Sequence, residues 1–259
     1  MASFYEDHPW FTYLLTGALI LAAGEIGHRI GVWWRRKHPM NSSLYSLSTL
    51  EGAALGLLAL IIAFTFSMTI NRFDARLNSL AKEASAIGTA WLRAGMLAEP
   101  RAGEVRQMLR DYVQLRIDLS HSRATPAAFE RAIQDSYRLQ AAMWERATTA
   151  VTANPRAVPE GLFVQSLNDV FDLQEARIAA ARNQVPPPVF VLLYVVAAVA
   201  IGLSGYVAGS ESLGGRIPIA IMAVLVSCVT TMIADFDKSR TGFITVNQQV
   251  MEDLRSSMD

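Results

Sequence analysis

The stretch from Leu50 to Arg93, LEGAALGLLALIIAFTFSMTINRFDARLNSLAKEASAIGTAWLR, decides the fold of this chain. Its 20 uncharged residues from Gly52 to Asn71 are enough to cross a hydrocarbon core of about 30 Å at about 1.5 Å per residue. No proline interrupts the stretch, and the helical pattern continues through Arg72 and Arg76. The sequence therefore predicts one long helix that spans a bilayer and then projects into water.

One side of this helix carries a distinctive stripe. Spacings of three and four residues place the members of the stripe on one face: Gly56, Leu60, Phe64, Met68 and Asn71. A small residue, an apolar one, an aromatic one and an amide fit the lining of an oligomeric pore with a hydrophobic neck. The alternative is lipid contact and helix packing, in which Gly and Ala let neighbouring helices approach.

Composition excludes several classes of protein. Hydrophobic residues make up 52% of the 259, charged residues only 18%, and the mean hydropathy is +0.25. Such a chain, with its apolar residues in blocks, is predicted to be an integral membrane protein. The net charge of zero and the lack of a basic tract argue against a nucleic-acid partner. The single Cys228 excludes an intrachain disulfide.

The N-terminal apolar run predicts a first span over about residues 10–31. The segment before it is acidic and lacks Lys and Arg, so we expect a retained helix rather than a secretory signal. Near the end of this span, Glu25 and His28 lie three residues apart on one face. One hypothesis makes them a buried ion pathway or proton-handling pair. The alternative is that they contact lipid headgroups or pair with Arg29.

The second span is predicted over about residues 50–71, and two more over about 188–208 and 217–234. Three consecutive prolines before the third span stop the preceding helix and can only occupy the first turn of the next. Near the end of that span, Gly205 and Gly209 form a small-xxx-small pair that favours close helix packing.

Residues 72–184 separate the two pairs of spans. Their apolar residues recur with the period of a helix and not of a strand, so we expect a helical bundle whose stripes form its core. The predicted fold is all-α. Four transmembrane helices form two pairs (1–71 and 185–234), the bundle is an extramembrane insertion between spans two and three, and residues 235–259 form a polar tail.

Sequence patterns of known catalytic chemistry are missing. The chain has no phosphate-binding loop, nucleophile elbow, zinc-protease motif or paired cysteines, and its four histidines are scattered. Asp235 and Asp237 could donate oxygens to a cation, but two such carboxylates on a loop are more often a solvated turn. We therefore expect no enzyme activity, no cofactor and no bound metal.

Three blocks resemble the bestrophin-like family of four-span membrane proteins: LEGAALGLLALIIAFTFSMTINRFDAR, EASAIGTAWLRAGML and DFDKSRTGFITVNQQVMEDLR. They stand in the family's order and cover essentially the whole chain. That family is remotely similar to true bestrophins, which are pentameric ion channels with a pore lined by the second helix. The resemblance implies a homo-oligomer, a pentamer in true bestrophins, that lies in the lipid bilayer and conducts inorganic ions.

The resemblance also suggests roles for individual residues. Phe73–Arg76 resembles the aromatic-acidic-small-Arg pattern of true bestrophins, and by position Phe64 would be a neck residue. Leu60 and Gly56 would then lie one and two turns before it. The sequence departs from the pattern in two ways, because Gly56 cannot constrict a pore and the spacing from Phe64 to the arginine is one residue short.

Ion selectivity is left open by the resemblance, since bestrophins include anion-selective and cation-selective members. In a ring of subunits, Arg72 and Arg76 would set a positive potential at the pore mouth and favour anions such as chloride. Asp74 partly cancels this charge, and arginines at a membrane boundary often contact headgroups. We favour anions slightly.

Orientation in the cell (inner) membrane rests on two opposing signals. The short link after the first span begins with Arg35, Arg36 and Lys37, and the positive-inside rule would place it in the cytoplasm. The resemblance implies the reverse, and further basic residues on the side of the helical domain, such as Arg177 and Arg182, offset the link. We favour a multi-pass protein with a cytoplasmic helical domain.

Two hypotheses compete with the channel. The first is a non-conducting membrane scaffold or sensor whose helical domain binds a protein partner. The second is a proton-coupled device that uses Glu25 and His28.

Overall fold

The computed structural model describes residues 9–37, 44–121, 126–153, 158–210, 215–238 and 242–258. These residues form eight α-helices: α1 (Pro9–Lys37), α2 (Leu44–Ala94), α3 (Arg101–His121), α4 (Pro126–Ala153), α5 (Val158–Arg182), α6 (Pro187–Ser210), α7 (Arg216–Asp237) and α8 (Gln249–Ser257). The described part of the chain contains no strand, which confirms the all-α prediction.

The chain divides into two compact units. The first comprises Met1–Arg72 and Gln184–Ile244, and the second comprises Phe73–Asn183 and Thr245–Asp259. The polar tail predicted over residues 235–259 is thus split between the units. Its first residues end α7, and its last form α8, which buries Met251 in the core of the second unit.

Three stretches of described helix are long and apolar enough to cross a membrane: Leu47–Ala94, Val158–Ser210 and Arg216–Asp237. In the second stretch the apolar part is α6, which carries no charged residue, whereas α5 carries acidic and basic side chains along its length. These stretches contain the spans predicted over 50–71, 188–208 and 217–234. Among the described residues α1 is not one of the three, so the span over 10–31 and the count of four remain predictions.

In the first unit, α1 and α6 pack backbone to backbone through glycines. A Cβ at Gly205 would overlap the carbonyl oxygen of Gly24, and one at Gly209 would overlap that of His28. On the opposing helix, a Cβ at Gly27 would overlap the carbonyl of Gly202. The predicted packing role of Gly205 and Gly209 is confirmed, and α1 is the partner.

The second unit is a helical bundle with a continuous apolar core. The predicted stripes supply much of it, and Leu109, Phe163 and Leu167 are fully buried. On α4, Phe129, Ile133 and Tyr137 follow one another at helical spacing and form one such stripe. Tyr137 departs from it, because this residue is 37% exposed and its hydroxyl donates to Glu175 at 2.7 Å.

The structure begins α2 before the predicted second span. The helix starts at Leu44, six residues before the span predicted over about residues 50–71, so Ser48 and Thr49 lie within its first turns. The residues from Leu44 onward are compatible with a helix, and the sequence offers no breaker there.

Candidate functional site

Within the first unit, α2 has a buried face. Leu58, Thr65 and Thr69 are at most 3% exposed, and their spacing of seven and four residues places them on one side of the helix. The hydroxyls remain satisfied inside the helix, because Thr65 donates to the carbonyl of Ile61 at 2.7 Å and Thr69 to that of Phe66 at 2.9 Å. This face packs into the apolar core of the unit.

The predicted stripe lies on the other face of α2. Phe64 is 65% exposed and Leu60 is 52% exposed. Gly56 and Asn71 are also exposed, and Met68 is half-buried. A Cβ at Gly56 would meet no atom of the described residues within 4 Å, so this glycine is not used for packing within the chain. The stripe is therefore an outer surface of the chain, open to a pore, to lipid or to a second subunit.

The two arginines that follow the stripe differ in exposure. Arg72 is half-buried, and its Nη1 donates to the carbonyl of Met68 at 3.3 Å. Arg76 is only 5% exposed. Arg72 thus resembles the predicted mouth residue more closely than Arg76 does, while Arg76 is enclosed by its own chain.

Glu25 pairs with arginines from two helices. Its Oε1 lies 2.8 Å from Nε of Arg29 and 3.3 Å from Nη2 of Arg216. The predicted pairing with Arg29 is therefore confirmed. The contact with Arg216 could not be found from sequence, because it depends on how α7 packs beside α1. His28 is 9% exposed, and its Nδ1 has no hydrogen-bond partner among the described residues.

The Asp235–Asp237 pair is not a solvated turn. Asp235 is 3% exposed, and its carboxylate accepts the backbone N–H groups of Phe243 at 2.9 Å and Ile244 at 2.7 Å, as well as the Tyr13 hydroxyl. Asp237 accepts the N–H of Val185 at 2.8 Å. Both carboxylates anchor backbone, and the described residues contain no group of three or more metal-ligating side chains.

The second unit contains a buried charge cluster that sequence reasoning missed. Glu83 is fully buried, 2.7 Å from Nη1 of Arg177 and 3.2 Å from Nε of Arg116. A signal was present, because Glu83 follows Leu80 by three residues and precedes Ile87 by four, which places it on the core face of α2.

Two comparisons with known proteins, one with family sequences and one with solved structures, point to the same family. The sequence model of the family described as a bestrophin-like domain matches residues 49–251. No curated protein matches the chain in sequence.

Solved structures resemble the chain over nearly its whole length. A crystal structure of a bacterial bestrophin homologue from Klebsiella pneumoniae, carrying a mutation, superposes with a TM-score of 0.72 at 13% identity, covering 95% of this chain and 97% of that one. A second structure of that homologue gives 0.69 at 13% identity, covering 96% of each chain. At this identity the likeness shows the fold alone. Together with the apolar helices, these matches place the chain among membrane proteins of bestrophin fold.

Proposed function

The chain belongs to the bestrophin-like family, and from this premise we propose that it forms a homo-oligomeric ion channel whose pore is lined by α2. The observation that carries the proposal is the exposed stripe on that helix. Phe64 and Leu60 project from the face opposite Thr65 and Thr69, which are buried inside the unit. A helix that is anchored on one side and free on the other can present the free side to a symmetry axis.

In such a ring, Phe64 and Leu60 form the neck. Copies of two large apolar side chains around an axis make a constriction that controls conduction by excluding water. Gly56 leaves the pore wider one turn before Leu60. On the other side of the neck, the lining changes from the apolar Met68 to the polar Asn71. The bestrophin fold of the chain supports this arrangement.

Anions are the slightly favoured substrate. Arg72 from each subunit adds positive charge next to Asn71. Arg76 is buried, but its charge on the same helix also makes the electrostatic potential at the pore mouth more positive. Asp74 lies between them and reduces the effect. We propose chloride as the first ion to test.

Four spans complete the proposed topology. The glycine contacts set the backbone of α1 against α6, which is apolar along its length, and this favours a membrane position for α1 as well. Residues 72–184 then form an extramembrane domain, which we place in the cytoplasm of a cell whose inner membrane holds the protein.

Ion flux from purified protein in liposomes tests this function, first with a chloride gradient and then with a sodium gradient. Phe64→Ala is expected to raise the flux because it removes the ring from the neck. Leu192→Ala is the matched control, since Leu192 is 53% exposed on α6, outside the proposed pore. Equal flux in Phe64→Ala and the unaltered protein would remove Phe64 from the pore.

A non-conducting scaffold or sensor is the second candidate. Leu92 is 70% exposed and Met96 is 51% exposed in the second unit, as is Val158 at 70%. Exposed apolar side chains of this size suit contact with a protein partner. Absence of flux from protein that is shown to be folded and oligomeric would favour this function over the channel.

A further inference from the structure

The first unit contains a cavity of about 200 Å³ between α1 and α7 that the channel proposal does not use. Glu25, His28 and Arg216 line one part of it, and Leu21, Ala220 and Ala223 line another. The two helices run antiparallel here, because Tyr13 contacts Asp235 near one end of the pair and Glu25 contacts Arg216 near the other.

Counted over the described residues, the polar end of the cavity has an excess of positive charge. Arg29 and Arg216 both lie against one carboxylate oxygen, Oε1 of Glu25, so two cations face one anion. Their side chains are 74% and 66% exposed, and each guanidinium has five N–H donors, of which Glu25 takes one or two. The donors that remain can bind an anion that comes from outside the chain.

His28 is a second, independent indication of a ligand. Its ring is 9% exposed and lines the same cavity, and its Nδ1 has no partner among the described residues. Buried polar atoms in proteins are nearly always hydrogen-bonded. A buried ring that lines a cavity and carries an unpartnered nitrogen is thus suited to a polar group of a bound molecule.

The cavity is amphipathic along its length. From His28 to Leu21 the wall on α1 runs about 10 Å, and from Arg216 to Ala223 the wall on α7 also runs about 10 Å, at about 1.5 Å per residue. Both walls are charged at the same end and apolar at the other. A molecule that fits both ends has an anionic head and an apolar body.

We propose that this cavity binds an anionic phospholipid. The phosphate lies against Arg29 and Arg216, a polar headgroup atom meets Nδ1 of His28, and the glycerol and upper acyl chain cover Ala220 and Ala223. Basic pockets between membrane helices bind anionic headgroups in this way. The site requires α1 and α7 to lie in the bilayer and does not depend on ion conduction.

The test measures lipid binding to the full-length protein, delipidated in uncharged detergent, by native mass spectrometry. Phosphatidylglycerol and phosphatidylcholine with the same acyl chains are compared, so that only the headgroup differs. Phosphatidylglycerol is expected to bind more tightly, and Arg216→Gln to reduce that preference about fivefold, the effect of about one basic residue at a membrane surface. Arg36→Gln, which removes an exposed charge from the end of α1, is the matched control and is expected to keep the preference.

Glu25→Gln separates a lipid site from a structural ion pair. It removes the carboxylate that competes with the phosphate, so binding of phosphatidylglycerol is expected to strengthen. If Glu25→Gln weakens binding as much as Arg216→Gln does, the three residues form a structural network and the proposal is wrong. Equal binding of the two lipids, or equal losses in Arg36→Gln and Arg216→Gln, would also overturn it.

Ala220→Leu tests the apolar end without altering the ion pairs, and so remains informative should Arg216→Gln fail to fold. It is expected to weaken binding of phosphatidylglycerol because the added side chain occupies the space of the acyl chain. Inorganic phosphate is the soluble competitor and is expected not to displace the lipid at equal concentration. Displacement by phosphate, together with unchanged binding in Ala220→Leu, would assign the site to a soluble anion instead.

Discussion

Glu83 and Arg177 form an ion pair in the interior of the second unit, with 2.7 Å between Oε2 and Nη1 and no exposed surface on the carboxylate. Arg116 lies against the other oxygen of Glu83, and the Tyr112 hydroxyl is 3.0 Å from that same oxygen. One buried carboxylate therefore connects α2, α3 and α5. Because both guanidiniums and the Tyr112 hydroxyl lie against this carboxylate, the cluster depends on Glu83.

Glu83→Gln is predicted to destabilise the protein by about 3–5 kcal/mol, because it removes the counter-charge of Arg116, which is buried, and of Arg177, whose side chain is 16% exposed. Chemical denaturation of the purified protein in detergent measures the change. Glu104→Gln is the control, since Glu104 pairs with Arg146 at 3.0 Å on the surface, where each side chain is more than 40% exposed. Its expected effect is below about 1 kcal/mol. Similar losses in both variants would show that the buried pair has no special importance.

The protein is predicted to lose stability at alkaline pH because the hydroxyl of Tyr112 is buried. Burial, and then the charge of Glu83, raises the pKa of its hydroxyl well above the ordinary value of 10.0. Since the folded pKa exceeds the unfolded one, this contribution is complete below about pH 10 and is lost as the pH rises further. Tyr112→Phe should therefore flatten the decline in unfolding free energy between about pH 10 and 12.

Tyr137→Phe is the comparison for that experiment. The hydrogen bond to Glu175 raises the pKa of Tyr137 too, but this residue is much more exposed than Tyr112. We expect its substitution to change the alkaline slope less. A slope that is the same in both variants would contradict the role given to burial.

Gly205→Ala is predicted to destabilise the first unit, because its Cβ would overlap the backbone carbonyl of Gly24 and neither helix backbone can yield locally. Overpacking of this kind costs about 1–3 kcal/mol or more. Gly52→Ala is the control, since a Cβ there meets no atom of the described residues within 4 Å. Thermal melting in detergent compares the two variants, and equal melting temperatures would argue against the α1–α6 contact.

Asp235→Asn is predicted to loosen the segment after α7. The carboxylate accepts two backbone N–H groups, and a neutral amide oxygen is a weaker acceptor than a charged oxygen. Hydrogen exchange at Phe243 and Ile244 should therefore accelerate by about tenfold or more, the equivalent of about 1.4 kcal/mol. Asp253→Asn, which alters a carboxylate bonded to the side chain of Gln249, should leave those two amides unchanged.

Much of the fold was predictable from the sequence because it depends on local patterns. The uncharged run in α2 predicts a membrane span. The apolar stripes that contain Leu109 and Phe163 predict the core of a helical bundle, since apolar periodicity is a property of residues close together in sequence. The contacts of Glu25 with Arg216, and of Glu83 with Arg177, join helices that are far apart along the chain. No spacing rule connects them, and the burial of Asp235 was missed because its partners are backbone amides rather than a recognisable motif.

If the protein conducts as proposed, its selectivity between chloride and sodium is predicted to depend on Arg72. Arg72 is half-buried at the end of the exposed stripe, so its charge in every subunit bears on the pore. At an effective dielectric constant of about 20, one unit charge changes the energy of an ion about 15 Å away by about 1 kcal/mol, or about fivefold in occupancy. Arg72→Gln should therefore lower the ratio of chloride to sodium flux in liposomes by at least that factor.

Lys82→Gln is the control, because Lys82 is an exposed cation on the same helix beyond the predicted span. This substitution should leave the flux ratio nearly unchanged. Equal ratios in Arg72→Gln and the unaltered protein would show that Arg72 does not select the ion, and would leave the neck at Phe64 as a barrier without charge preference.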